Sequence, residues 1–419
     1  MALKVMQGKG RAAMTYLALD LGSTYTKICR IVGGRVEASR QAPTPAPLPG
    51  SIGRYEIDAE AYFAEAETLL REMRTAETTG VLLSTQMHGY VLTDRSFRPL
   101  SPYVSWQDGV GAAHLAEIRE QLEADAVAPA GVPLKGNLAL CSLLGRQLEG
   151  EALPQDALFC TLGGYMIGRL TGVHACHLTN AAPTGLCDVR EACWNEVLLH
   201  RTGLEAWVFP ALFSDVRPVG NWEGLTVYPD LGDQQVCAFG AGLRPGRDLH
   251  MSLGTAGLMG CLAPRWSPGP YEQRPWLTSG LYLRTVSGLP GGRHVAAMHG
   301  LLRHLVETLS GAAVDDGTVW RFLSGITADS RGERPLFEAL QGTPEGLVAD
   351  FYTQMAEAFA QAAEQMGTSP ERIVFSGGCA AKNPALRRAF RKRFACEADE
   401  RDHDAMLGMQ ALAVMLDRR

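Results

Sequence analysis

Short apolar runs alternate along the chain with stretches that carry apolar residues at helical spacing. The run Tyr16–Asp20 predicts a buried strand, and Lys27–Val32 resumes the strand pattern after the small-residue turn Leu21–Thr24. Strand, small polar turn and strand together indicate a hairpin. Residues 58–77 carry apolar positions at helical spacing, and Gly80–Ser84 predicts a further strand. This alternation is typical of an α/β architecture.

The second half of the chain repeats the same order of elements. The segment His250–Gly257 again has a strand, a glycine, a small hydroxyl residue and a further strand, and Arg372–Ser376 predicts a strand that ends in Gly377-Gly378. The two hairpins lie about 230 residues apart, which predicts a duplicated fold with one phosphate-binding turn in each half. The turn-rich segment Gly242–Arg247 predicts the boundary. We therefore expect a tail over residues 1–15 and domains over residues 16–242 and 243–419.

Composition and charge exclude several classes of protein. The chain has 419 residues, of which 46% are hydrophobic and 20% charged, so it can form sizeable cores. The net charge of −6 shows no basic excess of the kind that a nucleic-acid groove requires. The N-terminal stretch lacks the apolar segment of a secretory leader, and no run of about 20 apolar residues predicts a membrane span. We expect neither nucleic acid nor membrane as a partner.

The cysteines point to a reducing compartment. Ten cysteines are scattered along the chain and none forms a C-x-x-C pair. A disulfide framework is unusual in a chain of this length, and zinc ligands cluster in sequence. Reduced, mostly buried thiols in a cytoplasmic protein are the expected state.

The first segment with candidate chemistry follows the first strand. A glycine turn at Gly22 allows backbone N–H groups to approach phosphate oxygens, and Ser23 and Thr24 add hydroxyl groups. Lys27 supplies a positive charge, and Asp20 at the strand end suits Mg²⁺, which prefers carboxylate oxygens. The segment is not a Walker A loop, since G-x-x-x-x-G-K-[ST] does not occur. An ordinary hairpin that begins with an aspartate is the alternative.

A second candidate is Asp233, which follows Gly232 at the expected start of a helix. A carboxylate there lies near the positive end of the helix dipole, and we expect it to stay ionised. An ionised and oriented carboxylate can serve as the general base for a sugar hydroxyl. A plain helix cap is the alternative, and helix caps are far commoner than catalytic bases.

A third group of residues fits a polyol. Gln86, His88 and Asp108 offer hydrogen-bond donors and acceptors, while Met87 and Trp106 offer apolar surface. A structural histidine is the alternative for His88. The group lies on two loop segments within about 25 residues, which favours a binding role.

The order of these segments resembles the FGGY family of carbohydrate kinases, within the actin-like ATPase superfamily. The resemblance covers nearly all of the chain from Tyr16 onward. It rests on segments that occur in the family's order: Asp20–Lys27, Ser84–Gly89, Trp106 with Asp108, Arg169–Gly172, Thr179–Asp188 with Trp194, Gly232–Gln234, Ser252–Ala256, Gly332–Pro335, and Gly377-Gly378 with Asn383. It implies two ribonuclease H-like (actin-like ATPase) domains with a cleft between them.

The resemblance also implies roles. Asp233 would deprotonate the attacking sugar hydroxyl, with Gln234 among the substrate-binding residues, and Asp20 would position Mg²⁺. The nucleotide-binding residues would be Gly22, Ser23, Thr24 and Lys27 in the first half, and Gly254, Thr255, Gly377, Gly378 and Asn383 in the second. ATP and Mg²⁺ are the implied cofactors, and family members are monomers or homodimers.

Two segments bear on the choice of sugar. Trp106–Gly109 and Ser287–Gly292 are more similar to sedoheptulokinases than to xylulokinases. Gln107 and Val110 replace the family's usual Asp and Arg, so one usual sugar contact is absent. We rank sedoheptulose first, followed by xylulose, ribulose and gluconate. An actin-like ATPase without sugar kinase activity, or a regulatory binding protein, are the alternatives.

Overall fold

The computed structural model describes residues 14–50, 52–123, 126–327, 343–400 and 405–418. Most of the expected tail, residues 1–13, and the segment Gly332–Pro335 lie outside the described residues. The described part has a mixed α/β fold, as predicted, and it contains two six-stranded sheets.

The strands before residue 233 are β1 (Thr15–Leu21), β2 (Tyr25–Val32), β3 (Arg35–Pro43), β4 (Glu56–Ile57), β5 (Thr78–Thr85), β6 (Tyr90–Thr93), β7 (Tyr103–Val104), β8 (Leu158–Thr161), β9 (Ala175–His177), β10 (Cys187–Asp188), β11 (Cys193–Trp194), β12 (Ala211–Phe213), β13 (Gly220–Trp222) and β14 (Leu225–Gly232). The later strands are β15 (Asp248–Leu253), β16 (Gly257–Ala263), β17 (Glu272–Pro275), β18 (Tyr282–Leu289), β19 (Arg372–Ser376) and β20 (Glu397–Glu400).

The α-helices are α1 (Ala59–Met73), α2 (Val110–Ala113), α3 (Leu115–Gln121), α4 (Ala139–Leu148), α5 (Leu162–Thr171), α6 (Leu178–Ala181), α7 (Glu196–Thr202), α8 (Asp233–Gly240), α9 (Gly292–Ser310), α10 (Asp316–Gly325), α11 (Pro344–Gln365), α12 (Gly378–Lys382), α13 (Pro384–Phe394) and α14 (Ala405–Asp417). Short 3₁₀ helices span Ala128–Ala130 and Ala182–Thr184.

The first sheet has the order β13-β14-β5-β1-β2-β3. β1 runs antiparallel to β2 and parallel to β5, which in turn runs parallel to β14. Thr85 at the end of β5 pairs with Leu21 of β1 and with Gly232 of β14. The carboxyl ends of three parallel strands therefore meet at one edge, and this edge carries both Asp20 and Asp233.

The second sheet has the order β17-β18-β16-β15-β19-β20. Its strands β18-β16-β15-β19-β20 repeat the arrangement of β3-β2-β1-β5-β14, with an antiparallel meander followed by parallel strands. The repeated order is what a duplicated fold requires. It places the turn after β15 in the position that the turn after β1 has in the first sheet.

Alternate side chains of β1 pack into two different hydrophobic cores, because successive side chains of a strand point to opposite faces. Leu17 and Leu19 pack with α1 and α5 on one face. Tyr16 and Ala18 pack on the other face, in a cluster that includes α8 and α14 and also Val374 of the second sheet. The α8–α14 layer is thus shared between the two sheets.

All ten cysteines lie within the described ranges, and all are free thiols. Seven of them are buried, in agreement with the expected reduced state. Among the helices of the described residues, none has the length and apolarity needed to cross a membrane.

Helices α8 and α14 approach each other closely at two glycines. A Cβ atom on Gly408 would lie 1.9 Å from the carbonyl oxygen of Val236, and one on Gly240 would lie 2.6 Å from the amide nitrogen of Gly408. Both obstacles are backbone atoms, which cannot rotate away as a flexible side chain can. The position of α8, which begins with Asp233, therefore depends on the absence of side chains at this contact.

We expect Gly408→Ala to lower the free energy of unfolding by about 1–3 kcal/mol or more, because the added methyl group overpacks the contact. Gly300→Ala is the matched control: Gly300 lies inside α9 with no atom within 4 Å of an added Cβ. That change should leave stability unaltered or raise it by up to about 1 kcal/mol. Urea unfolding measures both. Equal stability of the two variants would contradict the close contact.

Candidate active site

Two carboxylates lie together at the shared edge of β1, β5 and β14. Asp20 is the penultimate residue of β1, and its Oδ1 accepts a hydrogen bond of 2.7 Å from Ser84 Oγ. Asp233 is the first residue of α8, and its Oδ1 accepts a hydrogen bond of 2.7 Å from its neighbouring Gln234 amide. Asp20 is buried, whereas Asp233 is only partly covered.

The environment of Asp233 raises the pKa of its carboxyl group from 3.8 to about 7. Loss of contact with water is the main cause, and the negative charge of Asp20 adds to it. The Gln234 amide and the Arg274 guanidinium act in the opposite direction but do not outweigh these effects. We expected Asp233 to stay ionised near the positive end of the helix dipole. With a pKa of about 7 it is only partly ionised at neutral pH, because desolvation and the second carboxylate outweigh the dipole.

Asp230, three residues before Asp233, is a different kind of carboxylate. It is completely buried, and it accepts hydrogen bonds from Thr161 Oγ1 at 3.1 Å, the His177 amide at 2.8 Å and Asn180 Nδ2 at 2.9 Å. Burial raises the pKa of this carboxyl group to about 7. These hydrogen bonds hold β14 against its neighbours. Because no substrate atom can reach the buried carboxyl group, Asp230 is unsuited to be a base.

The first glycine turn is tight and well anchored. The Gly22 amide donates to the Tyr25 carbonyl at 3.1 Å. The Gly22 carbonyl accepts from Thr44 Oγ1 at 2.9 Å, Tyr62 Oη at 3.0 Å and Gln86 Nε2 at 3.2 Å. A Cβ on Gly22 would lie 2.9 Å from the Tyr25 oxygen, so the turn requires glycine.

The other predicted phosphate ligands of the first half surround this turn. Ser23 is partly covered and Thr24 is exposed at its tip. Lys27 pairs with Asp20 across the hairpin, which puts both side chains on the same face of the sheet. The turn therefore brings hydroxyl groups, an ammonium group and a carboxylate to one place.

The second glycine turn, between β15 and β16, rests on the start of α9. The Gly254 carbonyl accepts from the Gly292 amide at 2.7 Å, and the Thr255 carbonyl accepts from the Arg293 amide at 3.0 Å. The Thr255 side chain is exposed. This arrangement leaves the hydroxyl group of Thr255 free to face a ligand.

The double glycine lies beside this turn. Gly377 has a φ of +89°, and a Cβ there would lie 2.8 Å from the backbone of Leu253. Gly378 begins α12, and no atom lies within 4 Å of an added Cβ. A flat ligand can approach the backbone closely at Gly378, as the adenosine role implied by the resemblance requires.

Asn383 is engaged in structural contacts. Its Oδ1 accepts from the Leu386 amide at 3.0 Å, which caps α13, and its Nδ2 donates to Tyr352 Oη at 2.7 Å. The side chain is buried. These contacts use one of the two N–H donors of Nδ2 and one of the two lone pairs of Oδ1, which leaves one of each for a nucleotide.

The loop after β5 passes beside Gly232, the residue before Asp233, since a Cβ on Gly232 would lie 2.6 Å from Met87 Sδ. Gln86 Oε1 and His88 Nδ1 are buried and have no hydrogen-bond partner among the described residues. His88 has a φ of +71°, and burial together with the Arg274 and Lys135 charges lowers the pKa of its imidazole to about 3. His88 is therefore neutral at physiological pH.

Asp108 is less accessible than its predicted sugar-binding role requires. Its carboxylate accepts hydrogen bonds from the Tyr55 amide at 3.0 Å, the Val110 amide at 3.2 Å, Ser142 Oγ at 3.3 Å and Arg146 Nη2 at 3.1 Å. The ion pair with Arg146 is buried on both sides. These contacts assign Asp108 to the support of the loop. Its neighbour Trp106 is 39% exposed and presents apolar surface.

A charged cluster that sequence reasoning missed lies on the other side of the site. Arg274 and Glu272 of β17 form a buried ion pair, and Lys135 of the first half pairs with Glu272. Arg274 Nη1 donates to Gln234 Oε1 at 2.7 Å. A signal was present in the sequence: two charged residues at alternate positions of a short strand segment point to the same face.

The chain is similar in sequence to known carbohydrate kinases. Residues 15–226 match the N-terminal domain of the FGGY family of carbohydrate kinases. A xylulose kinase of Klebsiella pneumoniae is 26% identical over 258 residues, which cover 58% of this chain and 53% of that protein. A glycerol kinase of Methylibium petroleiphilum is 30% identical over 258 residues, 56% of this chain and 51% of that protein. The chain spans about half the length of the curated relatives it matches.

Solved structures share the whole fold. The xylulose kinase from Rhodospirillum rubrum has a TM-score of 0.80 at 18% identity, over 97% of this chain and 90% of that chain. The gluconate kinase from Lactobacillus acidophilus has a TM-score of 0.78 at 15% identity, over 97% of this chain and 91% of that chain. These similarities show the fold, including its two sheets.

Substitutions of Asp230 and of Asp233 should have different effects on the free energy of unfolding. Asp230→Ala should lower the free energy of unfolding by at least about 1–3 kcal/mol, because it leaves buried donors unpaired. Asp233→Asn is nearly isosteric and removes a poorly solvated charge, so it should leave stability unchanged or slightly higher. Chemical denaturation at pH 7 measures both. An unfolding midpoint for Asp230→Ala equal to that of the wild type would contradict the structural role.

Proposed function

The chain belongs to the FGGY family of carbohydrate kinases, and from that premise we propose that it transfers the γ-phosphoryl group of ATP to a hydroxyl group of a small sugar. The products would be a sugar phosphate and ADP. The observation that carries the proposal is Asp233, a carboxylate with a pKa of about 7. It lies beside Asp20 at the edge where the first phosphate turn ends.

A ketose is the first candidate for the acceptor. Sedoheptulose ranks first, on the segments Trp106–Gly109 and Ser287–Gly292. Xylulose ranks second and gains support from relatives named as xylulose kinases. Ribulose and gluconate follow. The unpartnered atoms Gln86 Oε1 and His88 Nδ1 support a polyol, since both can accept hydrogen bonds from its hydroxyl groups.

Asp233 would act as the general base. The sugar hydroxyl loses its proton to the Asp233 carboxylate while its oxygen forms a bond to phosphorus and the bond to the ADP oxygen breaks. A base whose pKa lies near the working pH combines a large ionised fraction with a strong affinity for the proton. The desolvation that raises the pKa of Asp233 therefore also suits it to the reaction.

The chain's own residues fit ATP with Mg²⁺. Mg²⁺ is usually held by one or two carboxylates together with phosphate oxygens and water, which Asp20 can provide. No group of three or more His, Cys, Asp or Glu side chains that could cage a metal occurs in the described part of the chain. Bound Mg²⁺ would neutralise phosphate charge. The Gly22 turn and the Gly254-Thr255 turn would hold the phosphates, with Gly377 and Gly378 at the adenosine end.

We expect Asp233→Asn to lower kcat by about 10²- to 10⁴-fold, because the variant cannot accept the proton. Sugar and ATP affinities measured by calorimetry should change little. Asp316→Asn, the same change at the exposed start of α10, is the control and should keep wild-type kcat. If Asp233→Asn retained more than about a tenth of wild-type kcat, Asp233 would not be the base.

The pH dependence gives an independent prediction. Below its pKa of about 7 the Asp233 carboxyl group is protonated and cannot act as a base. We expect kcat/KM to reach a plateau above that pH and to fall about tenfold per pH unit below it, since this parameter reports the free enzyme. An aspartate with an ordinary pKa of 3.8 would give no decrease until far lower pH. A profile that stays flat from pH 8 down to about pH 5.5 would contradict this assignment.

A further inference from the structure

Arg274 reaches from the second sheet into the sugar side of the site. It lies on β17, an edge strand of the second sheet, and its residue is 5% exposed. Its Nη1 donates to Gln234 Oε1 at 2.7 Å and lies 3.9 Å from Met87 Sδ. Gln234 and Met87 both belong to the predicted substrate-binding set. Arg274 therefore contacts this set directly, from the half of the chain that is expected to bind the nucleotide.

The guanidinium group is held in a fixed orientation. Nη1 is engaged by Gln234, and Nη2 is engaged by the Glu272 carboxylate. Glu272 is itself held by Lys135. Burial alone would raise the pKa of Glu272, but the positive charges and hydrogen bonds of Arg274 and Lys135 lower it to about 2. Glu272 is therefore ionised, and both ends of the guanidinium fork have a protein partner.

One nitrogen of the Arg274 guanidinium group remains without a partner. Its Nε is buried and has no hydrogen-bond partner among the described residues, as is also true of His88 Nδ1 and Gln86 Oε1. A buried polar atom without a partner is costly, so such atoms at a ligand site indicate that the ligand completes their hydrogen bonds. The Arg274 charge acts on both His88 and Asp233, and the same guanidinium group contacts their chain neighbours Met87 and Gln234.

We propose that Arg274 is a sugar-binding residue that selects a neutral sugar over a sugar acid, an inference that rests on the proposed kinase function. A carboxylate binds arginine best through two parallel hydrogen bonds from the fork. Here each Nη nitrogen already has an oxygen partner, from Gln234 or from Glu272, and Nε is the nitrogen left without one. A hydroxyl or carbonyl oxygen fits one donor, whereas a carboxylate would also be repelled by ionised Glu272.

The test compares a neutral ketose with an aldonate in the full-length protein. Sedoheptulose and xylulose are the neutral probes, and gluconate is the acidic probe. We expect wild-type kcat/KM to be at least about tenfold higher for the better ketose than for gluconate. A higher kcat/KM for gluconate would overturn the inference and leave the kinase function intact. If none of these three sugars and no ribulose is phosphorylated, that result would instead contradict the proposed function.

Variants then test Arg274 itself. Arg274→Lys keeps the charge but loses the Nε donor and the fork, so KM for the ketose should rise by about 5- to 150-fold while KM for ATP stays within about twofold. Arg303→Lys, an exposed arginine of α9, is the control and should change neither value. An unchanged ketose KM in folded Arg274→Lys would overturn the inference. If that variant does not fold, the wild-type comparison of sugars decides.

Glu272→Gln provides a second test. It removes the negative charge beside the Nη2 end of the fork while keeping an acceptor oxygen there, so the repulsion of a substrate carboxylate is lost. The ratio of kcat/KM for gluconate to that for the ketose should therefore rise by about tenfold or more relative to the wild type. A ratio that stays the same or falls would overturn the proposed basis of selection.

Discussion

Two carboxylates, Asp20 and Asp233, lie at one poorly solvated edge of the first sheet. Their mutual repulsion and the loss of water raise the pKa of Asp233 to about 7. In the proposed mechanism this constraint makes Asp233 the proton acceptor, and the two adjacent negative charges favour a cation beside Asp20. The surrounding structure is arranged to keep the pair together, since separation or hydration of either group would return Asp233 to an ordinary aspartate.

Three features hold this arrangement. The pairing of Thr85 with both Leu21 and Gly232 aligns the ends of β1, β5 and β14. The glycine contact between α8 and α14 fixes the helix that Asp233 begins. Buried Asp230, with its donors from three other segments, anchors the strand that leads into that helix. The second sheet contributes Arg274 from β17, which contacts Gln234 and Met87, so the proposed sugar site includes residues of both halves of the chain.

The local elements of this fold could be predicted from sequence, because each depends on the spacing of apolar residues and glycines within a short segment. β1, the Gly22 turn, α1 and the double glycine all have the expected places. Side chains whose partners are remote in sequence could not be read in the same way. Arg146 lies 38 residues from Asp108, Tyr352 lies 31 residues from Asn383, and Arg274 lies 40 residues from Gln234. Only the fold shows that Asp108 and Asn383 make structural contacts with Arg146 and Tyr352. It also shows that Arg274 contacts Gln234.

The fate of the γ-phosphoryl group tests the central claim most directly. Phosphorus NMR of one reaction with the protein, ATP, Mg²⁺ and a neutral ketose follows every phosphorus-containing product at once. The account predicts a new sugar phosphomonoester signal that grows in step with ADP and is absent when the sugar is omitted. ADP that forms together with inorganic phosphate, at the same rate with or without sugar, would contradict it.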